Sequence, residues 1–326
     1  MHAAFLHATC LLIPIVKNRK PCYCEHARKR SGGEDGLMVT VHCRSTNRLA
    51  RIFCSRLVNL FFLLLLFSAT PVQVAAHDFI AASGCSVSNV GYLTELAKEY
   101  ERRTGVRVLV RGGGSVVGIE DLRTGKVDFA AACRPRSASD PADITFVQVA
   151  WDALVFIVHP SNPVSTLSLA EARSIYAGRI RTWDQLKGPD RPLKVFVSRA
   201  RQGLSGVEGS MRTLLLEGRE PAEAPNMSFV ASTGIVEQMV EQIPDGFATT
   251  GFSSAQHRKV KMLKIDGVVP SVRNIVRKAY PLKRPLFLLL PKDPKPEVRK
   301  FVDFTLSAEG QRFISSRNIV SLKDVK

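Results

Sequence analysis

The chain has 326 residues, of which 45% are hydrophobic, and its 46 Lys and Arg outnumber its 29 Asp and Glu, giving a formal net charge of +17. A chain of this length and hydrophobic content can bury one large core or two medium ones, which excludes a disordered protein. The positive charge is uneven, because the first 76 residues hold ten of the basic residues and three of the acidic ones.

Residues 1–76 end in a pattern that is typical of a secretory signal peptide. Arg56 precedes an apolar run from Leu57 to Phe67, and the small residues Ala75 and Ala76 follow. We expect cleavage after Ala76 and a mature protein in the periplasm or outside the cell. A membrane anchor is the alternative, although a run of eleven residues is too short to cross a hydrocarbon core of roughly 30 Å as a helix.

The segment 1–37 shows no apolar periodicity, and Met38 could begin an ordinary signal peptide of about forty residues. Residues 1–37 are therefore interpreted either as part of the leader or as residues that precede the true translation start at Met38. Without residues 1–76 the chain keeps 36 basic and 26 acidic residues, a net charge of +10. This excess suits anionic ligands, and dispersed lysines on a solvated surface are the alternative. The basic residues do not form an aromatic-lined stripe, so we expect no nucleic-acid partner.

From His77 onward, short strands alternate with amphipathic helices, which indicates βαβ units with parallel sheets. Ser115 can cap a helix that runs to Arg123 and ends at Gly125. The other elements predicted in this part are a strand at DFIAAS, a helix at 89–103, a strand at VRVLV and a strand at KVDFAAA.

A new unit begins near Pro160 with a helix at SLAEARSIYAG. In this helix Ser168 and Glu171 form a capping box, and Gly178 supplies the stop. The remaining predicted elements are strands at LKVFVS, MSFVAS, GFATTGF, VKMLKI and LFLLL, and helices at SGVEGSMRTLLLEG, IVEQMVEQI, 297–306 and around 310–315.

Three separated motifs resemble the phosphate-binding branch of the type II periplasmic solute-binding proteins. A Tyr-Pro-Leu-x-Arg-Pro run lies at 280–285, a Leu-Ser-x-Glu-Gly-Gln helix start lies at 306–311, and IYAGRIRTWDQL lies at 175–186. The resemblance covers essentially all of 77–326. It implies a two-lobed α/β fold, each lobe a mostly parallel sheet flanked by helices, with two crossing strands between the lobes.

In this family resemblance, 77–158 plus 247–326 form lobe one and 159–246 form lobe two. The function it implies is extracytoplasmic capture of phosphate or a related tetrahedral oxyanion for an ABC-type importer. The expected partners are the oxyanion and a membrane permease, and the expected state is a monomer. The alternative is a sensory or binding protein of the same fold with a different ligand or no oxyanion ligand.

Ligands of such sheets bind beyond the carboxyl ends of the strands, where helix N-termini and short hydroxyl side chains can surround an oxyanion. The resemblance places Ser115 in one such loop, with helix capping as its alternative role. RQGLSGV matches the family's Arg-x-x-x-Ser-Gly-Thr element, so Arg201, Ser205 and Gly206 are expected to contact the ligand. Val207 stands where the family has threonine, and one hydroxyl is lost. A surface arginine beside a capping serine is the alternative.

The first loop, SGCSVSN, aligns less firmly with the family, and Ser86 and Ser88 are candidate ligand contacts or helix caps. Cys133 replaces an aspartate that would accept the proton of monohydrogen phosphate, which sulfate lacks. A thiol is a weak donor and acceptor, so phosphate selectivity is in question. In the usual strand order of these sheets, the first and third strands are neighbours, and we expect a disulfide between Cys85 and Cys133. Free packed thiols are the alternative.

Enzyme patterns fit poorly. GGGSVVG lacks the third glycine of a dinucleotide motif, because Val117 holds that position, and no Gly-Lys pair of a P-loop follows. Ser139 stands six residues after Cys133, where a cysteine phosphatase needs an arginine. The histidines after the leader, His77, His159 and His257, are widely spaced. We therefore expect no catalysis, no cofactor and no metal site.

Overall fold

The computed structural model describes residues 79–200 and 205–325. The predicted leader, its cleavage after Ala76 and the candidate Arg201 lie outside these ranges, so these predictions stay untested. Within the described ranges, the structure contains no helix that is both long enough and apolar enough to cross a membrane.

Strands and helices follow one another along the chain largely as the sequence predicts. The strands are β1 (Ile80–Gly84), β2 (Val108–Gly112), β3 (Phe129–Ala132), β4 (Thr145–Val158), β5 (Thr166–Leu167), β6 (Lys194–Ser198), β7 (Met227–Val230), β8 (Gly246–Gly251), β9 (Lys261–Met262), β10 (Lys264–Ile265), β11 (Lys283–Leu290) and β12 (Val320–Ser321). The α-helices are α1 (Ser86–Ser88), α2 (Thr94–Thr104), α3 (Ser115–Arg123), α4 (Leu169–Tyr176), α5 (Gly206–Leu214), α6 (Thr233–Gln242), α7 (Phe252–Ala255), α8 (Val272–Val276), α9 (Pro296–Leu306) and α10 (Ala308–Ser316).

Two sheets meet on the long strand β4. The first sheet has the order β2-β1-β3-β11-β4, with β1, β2 and β3 parallel and β11 antiparallel to its neighbours. The second has the order β4-β8-β6-β7, with β8, β6 and β7 parallel. On β4, Ala153 pairs with Lys283 of β11, and Leu154 pairs with Gly251 of β8. The molecule is thus the two-lobed α/β fold that the sequence predicts.

The sheet pairing bears on where the lobes divide. The sequence predicts a return to lobe one at 247, near the start of β8 at Gly246, yet β8 pairs with β4 and β6 in the second sheet. The next element, α7, begins at Phe252. Sheet membership therefore favours a return to lobe one close to Phe252, and the exact limits of the two lobes stay a prediction.

The first helix starts earlier than its apolar pattern indicates. The sequence predicts a helix over 89–103, whereas α1 begins at Ser86 and a π-helical segment, Asn89–Leu93, joins it to α2. In that segment Gly91 lies against α7, because a Cβ on Gly91 would come within 2.8 Å of the Ser253 Cβ. The π-helical turn therefore coincides with a tight contact that no local sequence pattern reports.

Aromatic side chains attach the helices to each sheet. In lobe one, the Phe301 ring of α9 lies 5.1 Å from the Tyr100 ring and 5.3 Å from the Phe129 ring. In lobe two, the Phe156 and Phe247 rings stack at 5.7 Å between β4 and β8. Such ring pairs add about 0.5–1.5 kcal/mol to the burial of their apolar area. The two lobes thus have packed interiors on either side of the point where β4 changes partner.

Candidate functional site

Ser115 is the first residue of α3, and the prediction that it caps this helix is wrong. The cap is Gly114, which has φ +100° and makes no side-chain cap hydrogen bond. Its backbone N–H donates to Gly84 O at 2.9 Å, and its positive φ favours glycine at this position. The Ser115 side chain is fully buried and instead accepts a hydrogen bond from Cys133 N at 3.4 Å. Ser115 therefore lies beside Cys133 at the N-terminus of α3.

Cys133 follows β3, and Cys85 follows its neighbour β1. The structure joins the two side chains as a disulfide, with the Cα atoms 6.1 Å apart, inside the limit of about 7 Å for such a bond. Both cysteines are almost completely buried, and Cys85 N donates to Ala131 O at 2.9 Å. The disulfide thus links the loops that leave β1 and β3 at one edge of the first sheet.

Ser205 caps α5, whose N-terminus forms the lobe-two half of the site. Its Oγ accepts from Glu208 N at 3.0 Å, and the Glu208 carboxylate accepts from the backbone N–H of Ser205 and of Ala200, each at 3.3 Å. Burial raises the pKa of Glu208, and these backbone donors oppose that rise without cancelling it. Val207, where the family has threonine, is buried. A capping box therefore fixes the first turn of α5.

Gly206 brings the two halves of the site together. A Cβ on Gly206 would collide with the Cys133 Sγ and would lie 2.6 Å from the Ser115 Oγ. The N-termini of α3 and α5 thus meet across the lobe junction with the disulfide between them. Because the first N–H groups of a helix have no intrahelical acceptor, such ends favour anions. Ser115, Cys133, Ser205 and Gly206 form one cluster, which we call the junction cluster.

Ser86 and Ser88 are the least firmly placed of the candidates. The cap residue of α1 is Cys85, and Ser88 holds the cap position of the π-helical segment without a side-chain cap hydrogen bond, so neither serine side chain caps a helix and the capping alternative is wrong. Ser86 is half-buried, with its Oγ 3.5 Å from where a Cβ on Gly112 would lie. Ser88 is fully buried in the same turn. Ser86 adjoins the junction cluster through Cys85, and Ser88 lies deeper in the protein.

Three residues beside the junction cluster are absent from the sequence predictions. Arg284 of β11 forms an ion pair with Asp152 of β4, with Nη2 and Nε at 2.8 and 3.0 Å from Oδ2. Ser210 of α5 donates to Cys133 O at 3.0 Å. Arg284 stands in the Tyr-Pro-Leu-x-Arg-Pro run, which could have marked it as special, but no sequence signal pairs it with a carboxylate 132 residues away.

The other titratable candidates do not assemble into a reactive group. His159 Nδ1 hydrogen-bonds the Ser161 Oγ at 2.7 Å in the turn after β4, and His257 is exposed. Within residues 79–200 and 205–325, no three His, Cys, Asp or Glu side chains are grouped as a metal site would need. The junction cluster offers helix N–H groups and hydroxyls, which can form hydrogen bonds to an anion.

Two α/β lobes that share a central strand, with helix N-termini meeting at their junction, define a two-lobed ligand-binding protein. A family model confirms this class: residues 72–309 match the PBP superfamily domain, and the chain belongs to that family. The match covers all of lobe two, lobe one up to residue 309 and every candidate site residue.

Curated relatives and solved structures also show that the chain is similar to ligand-binding proteins of this class. The chain is 24% identical to the phosphate-binding protein PstS of Bacillus subtilis, over 77% of this chain and 83% of that protein. It is 27% identical to the protein SphX of Synechococcus elongatus, over 75% of this chain and 78% of that protein. A putative phosphate ABC transporter substrate-binding protein of Clostridium perfringens with bound phosphate superposes with a TM-score of 0.68 at 25% identity, over 75% of this chain and 100% of that one. An ABC-type phosphate transport receptor from Vibrio cholerae superposes with a TM-score of 0.57 at 25% identity, also over 75% of this chain and 100% of that one.

Proposed function

We propose that this protein is an extracytoplasmic solute-binding protein that captures phosphate or a related tetrahedral oxyanion for an ABC-type importer. The observation that carries the proposal is the meeting of the N-termini of α3 and α5 at the junction cluster. Relatives named as phosphate-binding proteins, and a similar structure with bound phosphate, support the choice of ligand. In this proposal the mature chain is a monomer, has no catalytic activity and delivers its ligand to a membrane permease.

Each member of the site has a separate role in the proposed binding. Ser115 and Ser205 supply hydroxyl groups from the two lobes, and the Gly206 backbone N–H donates at the start of α5. Arg201 supplies the positive charge and two parallel donors. A ligand between α3 and α5 would therefore contact both lobes, which is how binding would favour their closure.

Cys133 decides which oxyanion is preferred. A sulfur in a disulfide cannot accept the proton of monohydrogen phosphate as a carboxylate does, and the structure holds this sulfur directly against Gly206. We therefore expect weaker discrimination between phosphate and sulfate than a carboxylate at this position would give. Cys133→Asp combined with Cys85→Ser should shift the preference toward phosphate.

Equilibrium dialysis of the mature protein against labelled phosphate, sulfate and molybdate tests the proposal. Arg201→Ala should weaken binding about 10- to 150-fold, the range for losing a hydrogen bond to a charged group. Arg191→Ala is the matched control, because the exposed side chain of Arg191 pairs with Asp245, and its loss should leave the affinity unchanged. Failure of all three anions to bind would overturn the proposal.

A protein of the same fold with another ligand, or with no oxyanion ligand, is the second candidate. It is favoured by the contact of Gly206 with Cys133 and Ser115, which fills the meeting point of the helices with protein atoms. The same dialysis separates the two candidates. If the unaltered protein binds phosphate and Arg201→Ala loses that binding, the result supports the transport receptor. If none of the three anions binds, the result favours the second candidate.

A further inference from the structure

We infer that Ser210 and Arg284 are positioning residues that hold the first turn of α5 against lobe one when the lobes close. Neither residue belongs to the loop motifs predicted to contact the ligand. The inference about ligand release rests on the proposed function. The inference about the contact between the lobes does not, and it can be tested without ligand.

Ser210 bridges the lobes through a single buried hydroxyl. Its Oγ lies 3.0 Å from Cys133 O, which follows β3 of the first sheet, and 2.8 Å from Gly206 O in its own helix. The two carbonyls share the one hydroxyl proton, and the residue is 2% exposed, so water does not compete freely for this shared hydrogen bond. The bridge fixes Gly206 relative to Cys133, and these residues are the two halves of the junction cluster.

Arg284 holds the same turn from behind. Its Nη1 lies 3.4 Å from both Gly206 O and Ser210 Oγ, and the rest of its guanidinium is bound to Asp152. Asp152 in turn accepts from the backbone N–H of Ser253 in α7 at 2.8 Å. The guanidinium therefore connects β11, β4 and the first turn of α5 in one buried network.

The space around this network is filled. A Cβ on Gly251, at the end of β8, would lie 2.5 Å from Asp152 Oδ2 and 2.6 Å from Arg284 Nη2, and it would collide with Val87 of α1. The ion pair therefore cannot relax toward β8. A shift of α5 away from lobe one must therefore break the hydrogen bond from Ser210 to Cys133 O and the hydrogen bonds from Arg284 to α5.

The network has a consequence for the disulfide as well as for a ligand. With α5 held in place, Gly206 covers the Cys133 Sγ, and both cysteines are at most 2% exposed. A reductant can reach the sulfurs when α5 moves away. The rate at which the folded protein is reduced therefore measures opening of the junction, whether or not a ligand is present.

The test compares Ser210→Ala with Thr213→Ala. Thr213 is on the same helix and its hydroxyl donates to Gly209 O at 3.0 Å, so it makes a bond within the helix in place of a bond between lobes. Both variants lose one helix hydroxyl. The first measurement is the rate at which a water-soluble phosphine reduces the folded, ligand-free protein, with the released thiols trapped by iodoacetamide. If the purified protein already contains free thiols, their rate of alkylation gives the same information.

Ser210→Ala should raise the reduction rate about three- to tenfold, as expected for one lost hydrogen bond, and Thr213→Ala should leave it unchanged. In stopped-flow measurements with inorganic phosphate, Ser210→Ala should raise the dissociation rate by a similar factor. Equal reduction rates in the two variants would overturn the inference. If the unaltered protein does not bind phosphate, the proposed function fails while the reduction rates still decide whether Ser210 holds the junction.

Discussion

Two buried arginine–aspartate pairs hold different parts of this molecule. Arg134 binds both carboxylate oxygens of Asp140, at 2.6 and 2.7 Å, and its partner lies six residues away in the same loop. Arg284 binds Asp152 across 132 residues, and it also reaches α5. The side chains of the first pair are 5% and 6% exposed, and those of the second are 1% and 0% exposed.

The difference lies in what each pair can do when it is broken. The Arg134–Asp140 loop can rearrange and return its charges to water, because its ends are close in sequence. The Arg284–Asp152 pair is part of two adjacent sheet strands and is surrounded by packed atoms. The local pair should therefore stabilise one loop, and the long-range pair should determine the stability of the lobe junction.

Arg284→Gln should have the largest effect on stability. It leaves the Asp152 charge buried without its partner, which typically lowers the free energy of unfolding by about 3–5 kcal/mol. Urea denaturation followed by circular dichroism measures the change. The double variant Arg284→Gln with Asp152→Asn should recover part of the loss, because it removes the buried charge. A loss below about 1 kcal/mol in the single variant would contradict this view of the pair.

Arg134→Gln should cost less, about 1.5–3 kcal/mol, the value of hydrogen bonds to a charged group. The loop can open and hydrate Asp140, so the full penalty of a buried charge does not apply. The same denaturation experiment measures the loss. If Arg134→Gln were as damaging as Arg284→Gln, the contrast between local and long-range pairs would be wrong.

Gly251→Ala disturbs the long-range pair without removing a charge. Overpacking against Val87, Asp152 and Arg284 should cost about 1–3 kcal/mol of the free energy of unfolding. Gly112→Ala is a suitable control, because a Cβ at Gly112 meets its nearest neighbours at 3.5 and 3.6 Å, which is ordinary contact. The control should stay within about 0.5 kcal/mol of the unaltered protein. Similar losses in both variants would show that the tight contacts around Gly251 are not the cause.

Asp140 should make stability depend on pH. Burial alone would raise the pKa of Asp140, but the hydrogen bonds from Arg134 and from Ser137 N hold it below its ordinary value. The group therefore stabilises the fold fully above the unfolded pKa of about 3.9, and this stabilisation is lost as the pH falls through the folded pKa. Asp140→Asn should reduce the acid-induced loss of unfolding free energy measured between about pH 5 and pH 2. An unchanged slope would contradict the assignment.

Glu208 should give a smaller effect of the opposite sign. Burial raises the pKa of Glu208 above its ordinary value, so the folded state holds its proton more tightly than the unfolded chain. Its ionisation then lowers the free energy of unfolding as the pH rises from about 4.3 through the folded pKa. Glu208→Gln should remove this fall in the same pH series. Asp140→Asn is its internal control, because that variant should leave the fall in place.

Much of the fold follows from local sequence patterns. The Ser168 and Glu171 capping box forms as predicted, and Gly178 ends that helical segment with φ +70°. The predicted neighbour relation of β1 and β3 is present in the first sheet. These features depend on a few adjacent residues or on a strand order common to such sheets, so one sequence is enough to predict them.

The sequence predicts less of the site than of the fold. Ser115 has the residue type of a cap, but the backbone gives that position to Gly114, whose φ of +100° no local pattern reports. Ser210 is ordinary in its segment, and the family run that contains Arg284 does not name its partner; the role of both exists because strands far apart in the chain meet at α5. Tertiary contacts of this kind leave no periodic signal, so the sequence did not predict them.

The shared strand β4 constrains how the lobes can move. Its hydrogen bonds pass from β11 to β8 between Ala153 and Leu154 without a break in the strand. An extended strand resists bending within its sheet, but its twist varies readily between strands. We therefore expect the lobes to open by rotation about the β4 axis, through a change in strand twist. The energy needed for this twist should rise as the angle between the lobes grows.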